Sequence, residues 1–158
     1  KKADELTKEP IARMAYTYPL GMSVKASPEL LLRDVVIANE KGEITCAAEI
    51  PEGSEIRLMM GDAEKAIGAA KEAAENALKQ LNGAIPKAIF VFNCIARHKL
   101  LGPKIGEEIS AIQGVLGKNV PLIGFYTYGE LAPLGGVLGD ACRSAFHNET
   151  MALLVLGE

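Results

Sequence analysis

Three short segments of this 158-residue chain gather the residue types that hold or transform small molecules. The first is Phe92-Asn93-Cys94-Ile95-Ala96-Arg97-His98, where a thiol and a guanidinium follow an apolar run. A guanidinium is a planar fork of donors that fits a carboxylate or phosphate, and a cation close to a thiol lowers its pKa and raises its reactivity. Set against this, free cysteine is commonly a small core residue, and Arg97 has structural acids to choose from, such as Glu107 or Glu130. Cys94 and His98 stand at i, i+4, a spacing that puts two metal ligands on one helical face. No third or fourth ligand accompanies them, so no metal is assigned.

The second segment is Gly124-Phe125-Tyr126-Thr127-Tyr128-Gly129-Glu130. On a strand, Tyr126 and Tyr128 share one face while Phe125 and Thr127 take the other. Gly124 and Gly129 permit a close backbone approach or a turn with positive φ. Tyrosine rings offer an organic ligand apolar area plus a hydroxyl, although an ordinary core strand has the same look. The third segment, His147-Asn148-Glu149-Thr150, packs an imidazole, an amide, a carboxyl and a hydroxyl into one turn before an apolar run. A plain polar turn is the simplest account of it. A nucleophile–base pair of Cys94 and His147 is not vetoed by chain order, but no cysteine-hydrolase signature surrounds Cys94. The glycines at Gly135, Gly136 and Gly139 lack the Lys-Ser/Thr of a phosphate loop.

The elements that must position these segments change character near Gly61. Before it, Leu30–Ala38, Glu43–Ile50 and Glu55–Met60 read as short strands separated by the turns Asn39-Glu40-Lys41-Gly42 and Pro51-Glu52-Gly53. That is the pattern of an antiparallel meander, with a further strand and turn expected within Arg13–Val24. After Gly61, Asp62 is an N-cap for a helix whose apolar positions run from Ala63 to Leu81 at helical spacing. Asn82-Gly83 and Pro86 end it. Lys87–Asn93 reads as a buried strand. Pro103 then opens a helix carrying Ile105, Ile109, Ile112 and Leu116 on one face. Val120–Tyr128 is the next strand, Pro133–Gly139 a loop, and Cys142–Phe146 and Thr150–Leu156 the last two strands. If the strands on either side of the second helix are parallel, their carboxyl ends share one sheet edge, where open α/β sheets bind ligands. Cys94–Arg97 and Tyr128–Glu130 then face a common crevice.

The fold expected is therefore mixed α/β: an antiparallel β-meander over 1–61 followed by a βαβ-containing half over 62–158, with two main helices on a mixed sheet. The whole of 1–158 reads as one domain. Hydrophobic residues make up 49 % and mean hydropathy is +0.14, enough for a core, while aromatics are 5 % and Trp is absent, so the core is aliphatic. A net charge of −3 without a basic stripe argues against nucleic acid. Three cysteines, Cys46, Cys94 and Cys142, form no CxxC pair and are read as reduced thiols of a cytoplasmic protein. No apolar run approaches the ~18 residues of a membrane span. The start at Lys1-Lys2-Ala3, without a signal peptide or initiating Met, suggests that a parent protein extends upstream.

Taken in order, Tyr18-Pro19-Leu20-Gly21, Arg33-Asp34, Pro51-Glu52-Gly53-Ser54, Cys94-x-x-Arg97 with Leu101-Gly102, Glu107, the run Pro121-Leu122-Ile123-Gly124-Phe125-Tyr126-Thr127-Tyr128-Gly129-Glu130 and His147-Asn148-x-Thr150 resemble the C-terminal part of FIST sensory domains. Glu149 stands where that pattern usually has Gln, a departure expected to touch only a peripheral contact. The resemblance implies a sensory role, with a small ligand bound, amino acids being the usual suggestion, and a signal passed to attached or partner modules. It implies an N-terminal FIST half ahead of this one. It supplies no catalytic residues and no cofactor. The ligand-binding residues expected are Cys94, Arg97, Tyr126, Tyr128, Gly129, Glu130, His147 and Asn148. Arg97 would take an anionic group, Glu130 a cationic one, a tyrosine the apolar part, and His147 and Asn148 the rim. The alternatives are a hydrolase or transferase using Cys94 with His147, and a protein-interaction module. A symmetric homodimer is the default assembly.

Overall fold

The computed structural model describes residues 14–25, 27–136 and 144–158. Its centre is a three-stranded sheet in the order β10-β6-β7, formed by β10 (Met151–Gly157), β6 (Pro86–Cys94) and β7 (Leu122–Thr127). β6 and β7 are parallel, with Ile89 opposite Leu122 and Asn93 opposite Tyr126, as the βαβ expectation requires. β10 runs antiparallel to β6, with Met151 opposite Asn93 and Val155 opposite Ile89.

Two helices cover one face of this sheet. α1 (Ala63–Gln80) starts at Asp62, whose side chain accepts the Lys65 N–H at 2.8 Å and satisfies one of the orphan donors of the first turn. Its buried residues are Ala66, Ala70 and Ala74, one small side chain per turn, so the helix lies close against its neighbours. Asn82 and Gly83, at φ 49° and 93°, turn the chain out of the helix. A short helix absent from the sequence reading, α2 (Ile95–Leu101), follows β6 directly. It passes through a 3-10 turn at Gly102–Lys104 into α3 (Ile105–Leu116). The core joins Ala70 and Ala74 of α1, Ile89 and Val91 of β6, and Ile112 and Leu116 of α3, with Leu122, Met151, Leu153 and Val155 packed on it. It is aliphatic, as the composition required.

The N-terminal part is antiparallel throughout but is not a simple meander. The expected strand over Leu30–Ala38 breaks at Asp34 into β2 (Leu30–Arg33) and β3 (Val35–Ala38). β3 forms its own hairpin with β4 (Ile44–Cys46), while β1 (Leu20–Ser23) sits between β2 and β5 (Ile56–Leu58). The break has a polar cause. Arg33 turns inward, donating from Nε to Glu49 O at 2.9 Å and from Nη1 to Leu32 O at 2.9 Å and Phe146 O at 3.1 Å. A buried guanidinium satisfied by carbonyls pins this point to the far end of the chain.

Two more strands complete the fold. β8 (Glu130–Pro133), unforeseen in the sequence, pairs antiparallel with β9 (Ser144–His147), and the pairing sets Glu130 opposite His147. A 3-10 turn covers Leu134–Gly136. Cys142 and the loop positions Val137, Leu138 and Gly139 lie outside the described residues. Among those described, no helix is long and apolar enough to cross a membrane.

Candidate functional site

The three chemistry-bearing segments do meet, and the sheet order is the reason. β6 ends at Cys94, and β10, being antiparallel, begins beside that end. The turn before β10 is thereby delivered to the carboxyl edge of the parallel pair. Cys94 N–H donates to Thr150 O at 3.0 Å, and Thr150 Oγ1 donates to Glu130 Oε2 at 2.7 Å. Thr127 Oγ1 donates to the other oxygen of Glu130. Glu130 is buried, its carboxylate held by two hydroxyls that tie β7, β8 and the start of β10 together.

Arg97 projects from the first turn of α2 under α1 and α3. Its Nε donates to Glu108 Oε1 at 3.0 Å, and Nη2 donates to the same oxygen and to Ala66 O at 2.8 Å. Glu108 Oε2 accepts from Asn93 Nδ2 at 2.6 Å. The partner acid is thus Glu108, one residue from the expected Glu107: Glu108 is fully buried on α3, whereas Glu107 is exposed. Arg97 Nη1 takes no part in these bonds.

A cavity of about 270 Å³ opens beside this pair, lined by Leu32, Ala69, Ala70, Arg97, Glu149, Thr150 and Met151. Its walls are the apolar side chains of β2, α1 and β10, and its polar groups come from α2 and the turn before β10. Such a setting, mostly apolar with a few converging polar groups, is the usual make-up of a small-molecule site. Glu149 is the unusual wall residue. It is 8 % exposed, sits at φ 58°, and its Oε1 has no hydrogen-bond partner among the described residues. Its carboxyl pKa is pushed up to about 8, chiefly by burial and next by the Asp34 carboxylate, with Arg97 opposing both. The position where a peripheral contact was expected is therefore a wall of the cavity. Next to it, Asn148 is 1 % exposed, and neither amide atom has a partner among the described residues. A left-handed Glu and an unpaired buried Asn in adjacent positions are costly, the kind of cost that functional sites carry.

The other expected ligand residues lie elsewhere. Tyr126 and Tyr128 do not line the cavity, because β7 and β10 flank β6 on opposite sides. Tyr126 stacks edge-on with His98 at 4.9 Å, beside Glu108, and Tyr128 is 86 % exposed beyond the end of β7. Gly129 is needed for space: a Cβ there would strike the Phe146 ring. Gly124 is likewise fixed by a close approach, since a Cβ would meet Val91 O across the parallel ladder. His147 Nε2 lies 3.1 Å from Ala132 O. Cys94 is buried, and that burial raises its thiol pKa; Glu130 adds to the rise, against lowering by the Ala96 and Glu149 backbone N–H groups. A thiol held neutral in this way is the reverse of an activated nucleophile. No group of acids, cysteines and histidines among the described residues is arranged to hold a metal. Leu32, Glu108 and Glu149 escaped the sequence reading. Glu149 alone left a trace in the sequence, as an acid inside a four-residue polar turn ahead of an apolar strand.

These features describe a mixed α/β domain with a cavity near the carboxyl edge of its parallel pair. The chain matches the FIST C domain over residues 3–133, and it belongs to that family, which is of a sensory type. Two uncharacterized proteins from two strains of Mycobacterium tuberculosis are each 28 % identical to it over 137 residues. The match takes in 85 % of this chain and 34 % of each relative, so the chain spans about a third of the length of those relatives. No solved structure matches it.

Proposed function

We propose that the protein is a sensory domain that binds a small organic ligand in the cavity between Arg97 and Glu149. The observation that carries this reading is a buried carboxyl oxygen, Glu149 Oε1, without a partner among the described residues, lining the same mostly apolar space as a guanidinium whose Nη1 takes no part in the bonds to Glu108 and Ala66. Nη1 of Arg97 would receive the ligand's carboxylate. Glu149 takes the role first given to Glu130, whose oxygens are already occupied. Protonated, it donates a hydrogen bond; ionised, it pairs with an ammonium. Leu32 and Met151 supply the apolar contact first sought from the tyrosines. An amino acid presents both charges, and its ammonium would favour the ionised form of Glu149, whose proton would leave to solvent. The bound state would pass to attached or partner modules, an N-terminal FIST half among them, within the cytoplasm.

The test is thermal unfolding of the protein in the presence of amino acids and simple carboxylates. Binding at a hundredfold excess over Kd stabilises by about 2.7 kcal/mol. Ala69→Phe, at an exposed position of the lining, should block the shift while leaving the ligand-free midpoint within a few degrees. If no zwitterionic or anionic compound raises the midpoint, or if Ala69→Phe leaves the shift intact, the reading fails.

A further inference from the structure

Among the described residues, helices cover one face of the central sheet and leave the apolar side chains of the other face partly exposed. Ile89, Val91 and Asn93 of β6 point to the helices. The alternate positions point away, and the pairing lines them up in rows: Leu154 beside Phe90 beside Ile123, and Ala152 beside Phe92 beside Phe125. Phe92 and Phe125 touch edge-to-face at 5.4 Å, which confirms that they share this face. Ile123 is 66 % exposed and Phe125 63 %, and Leu154 and Leu156 are each about half exposed. No charged side chain interrupts those rows.

We propose that this bare face is the docking surface for a second folded unit of the same polypeptide, which lays an apolar layer on Phe90, Phe92, Ile123, Phe125, Leu154 and Leu156. Strands of all-parallel sheets are buried on both faces and read as near-continuous apolar runs, and the parallel pair β6 and β7 of this mixed sheet has that sequence habit. An exposed face of this composition resembles a domain core cut in half, the texture of permanent interfaces. The occupant follows from length. Each curated relative carries about two-thirds of its chain outside the matched stretch, room for at least one further unit beside this one. Among the described residues β7 and β10 are each paired on one side only, so the incoming unit can also extend the sheet. The cavity lies on the helical side, leaving both surfaces usable at once.

Hydroxyl-radical footprinting tests this by comparing the 158-residue chain with the complete gene product that carries it. Phe125 and Ile123 should be labelled several-fold less in the complete product, at a concentration where it is monomeric. Ile123→Gln, a mild change at an exposed site, should leave the chain alone folded yet restore labelling of Phe125 in the complete product. Equal labelling of Phe125 in both proteins overturns the proposal. So does a gene product no longer than this chain, or protection that appears in the isolated chain only as its concentration rises, which would assign the face to a second copy.

Discussion

Two buried polar clusters meet at the carboxyl edge of the sheet, and they differ in whether both oxygens of their carboxyl group are held. In the first, Glu108 is surrounded: Arg97 holds one oxygen and Asn93 the other, and Arg97 also reaches the α1 backbone. In the second, the turn before β10, Glu149 Oε1 and the Asn148 amide have no partner among the described residues. The same fold that holds both oxygens of Glu108, while leaving Asn93 Oδ1 without a partner among the described residues, places Glu149 on the wall of a cavity. A carboxylate held at both oxygens sets architecture; one with an open oxygen is available for binding.

The difference can be broken at its strongest point. Glu108→Ala would leave Arg97 buried without its counter-charge and should cost about 3–5 kcal/mol, lowering the midpoint by roughly 10 °C, read by thermal unfolding. A loss below about 1 kcal/mol would mean that solvent reaches the pair and that it is not closed.

Glu149→Gln sharpens the contrast through pH. The folded carboxyl titrates near 8 against an ordinary 4.5, so the native state holds a proton that the unfolded chain has released. Stability from this group is complete below pH 4.5, declines as pH rises to 8, and is level above, a total on the order of a few kcal/mol. The variant should equal the parent near pH 4.5 and exceed it at pH 8, in denaturant titrations. Asp34, also raised by burial, keeps a smaller slope of the same sign in both proteins. Parallel pH profiles would show that Glu149 is not buried as described.

Thr150→Val removes one of the two hydroxyls on Glu130 and should cost about 1–3 kcal/mol, placing Glu130 with the closed groups. Asp62→Ala, remote from both clusters, deletes the N-cap of α1 for about 1 kcal/mol and calibrates the series.

Periodicity carried most of the fold into view. The long helix after Asp62, the parallel strands around the second helix and the final apolar strand follow from side-chain spacing and from Asn, Gly and Pro punctuation. What stayed hidden had weak local signals. α2 is 7 residues and β8 is 4, too short for a period to register. The strand break at Asp34 depends on carbonyls of Glu49 and Phe146, one of them 113 residues from Arg33.

The site divides the same way. That Cys94–Arg97, Gly124–Glu130 and His147–Thr150 concentrate polar and reactive groups at the ends of apolar strands was visible in residue types alone. Which of them face one another was not. The antiparallel return of β10 beside β6 brought Glu149 to Arg97 and left Tyr126 across the sheet, and burial then decided that Glu108 is spent on Arg97 while Glu149 stays open. Residue chemistry is local and can be read from the chain; pairing and solvent exclusion arise between distant segments and exist only once they pack.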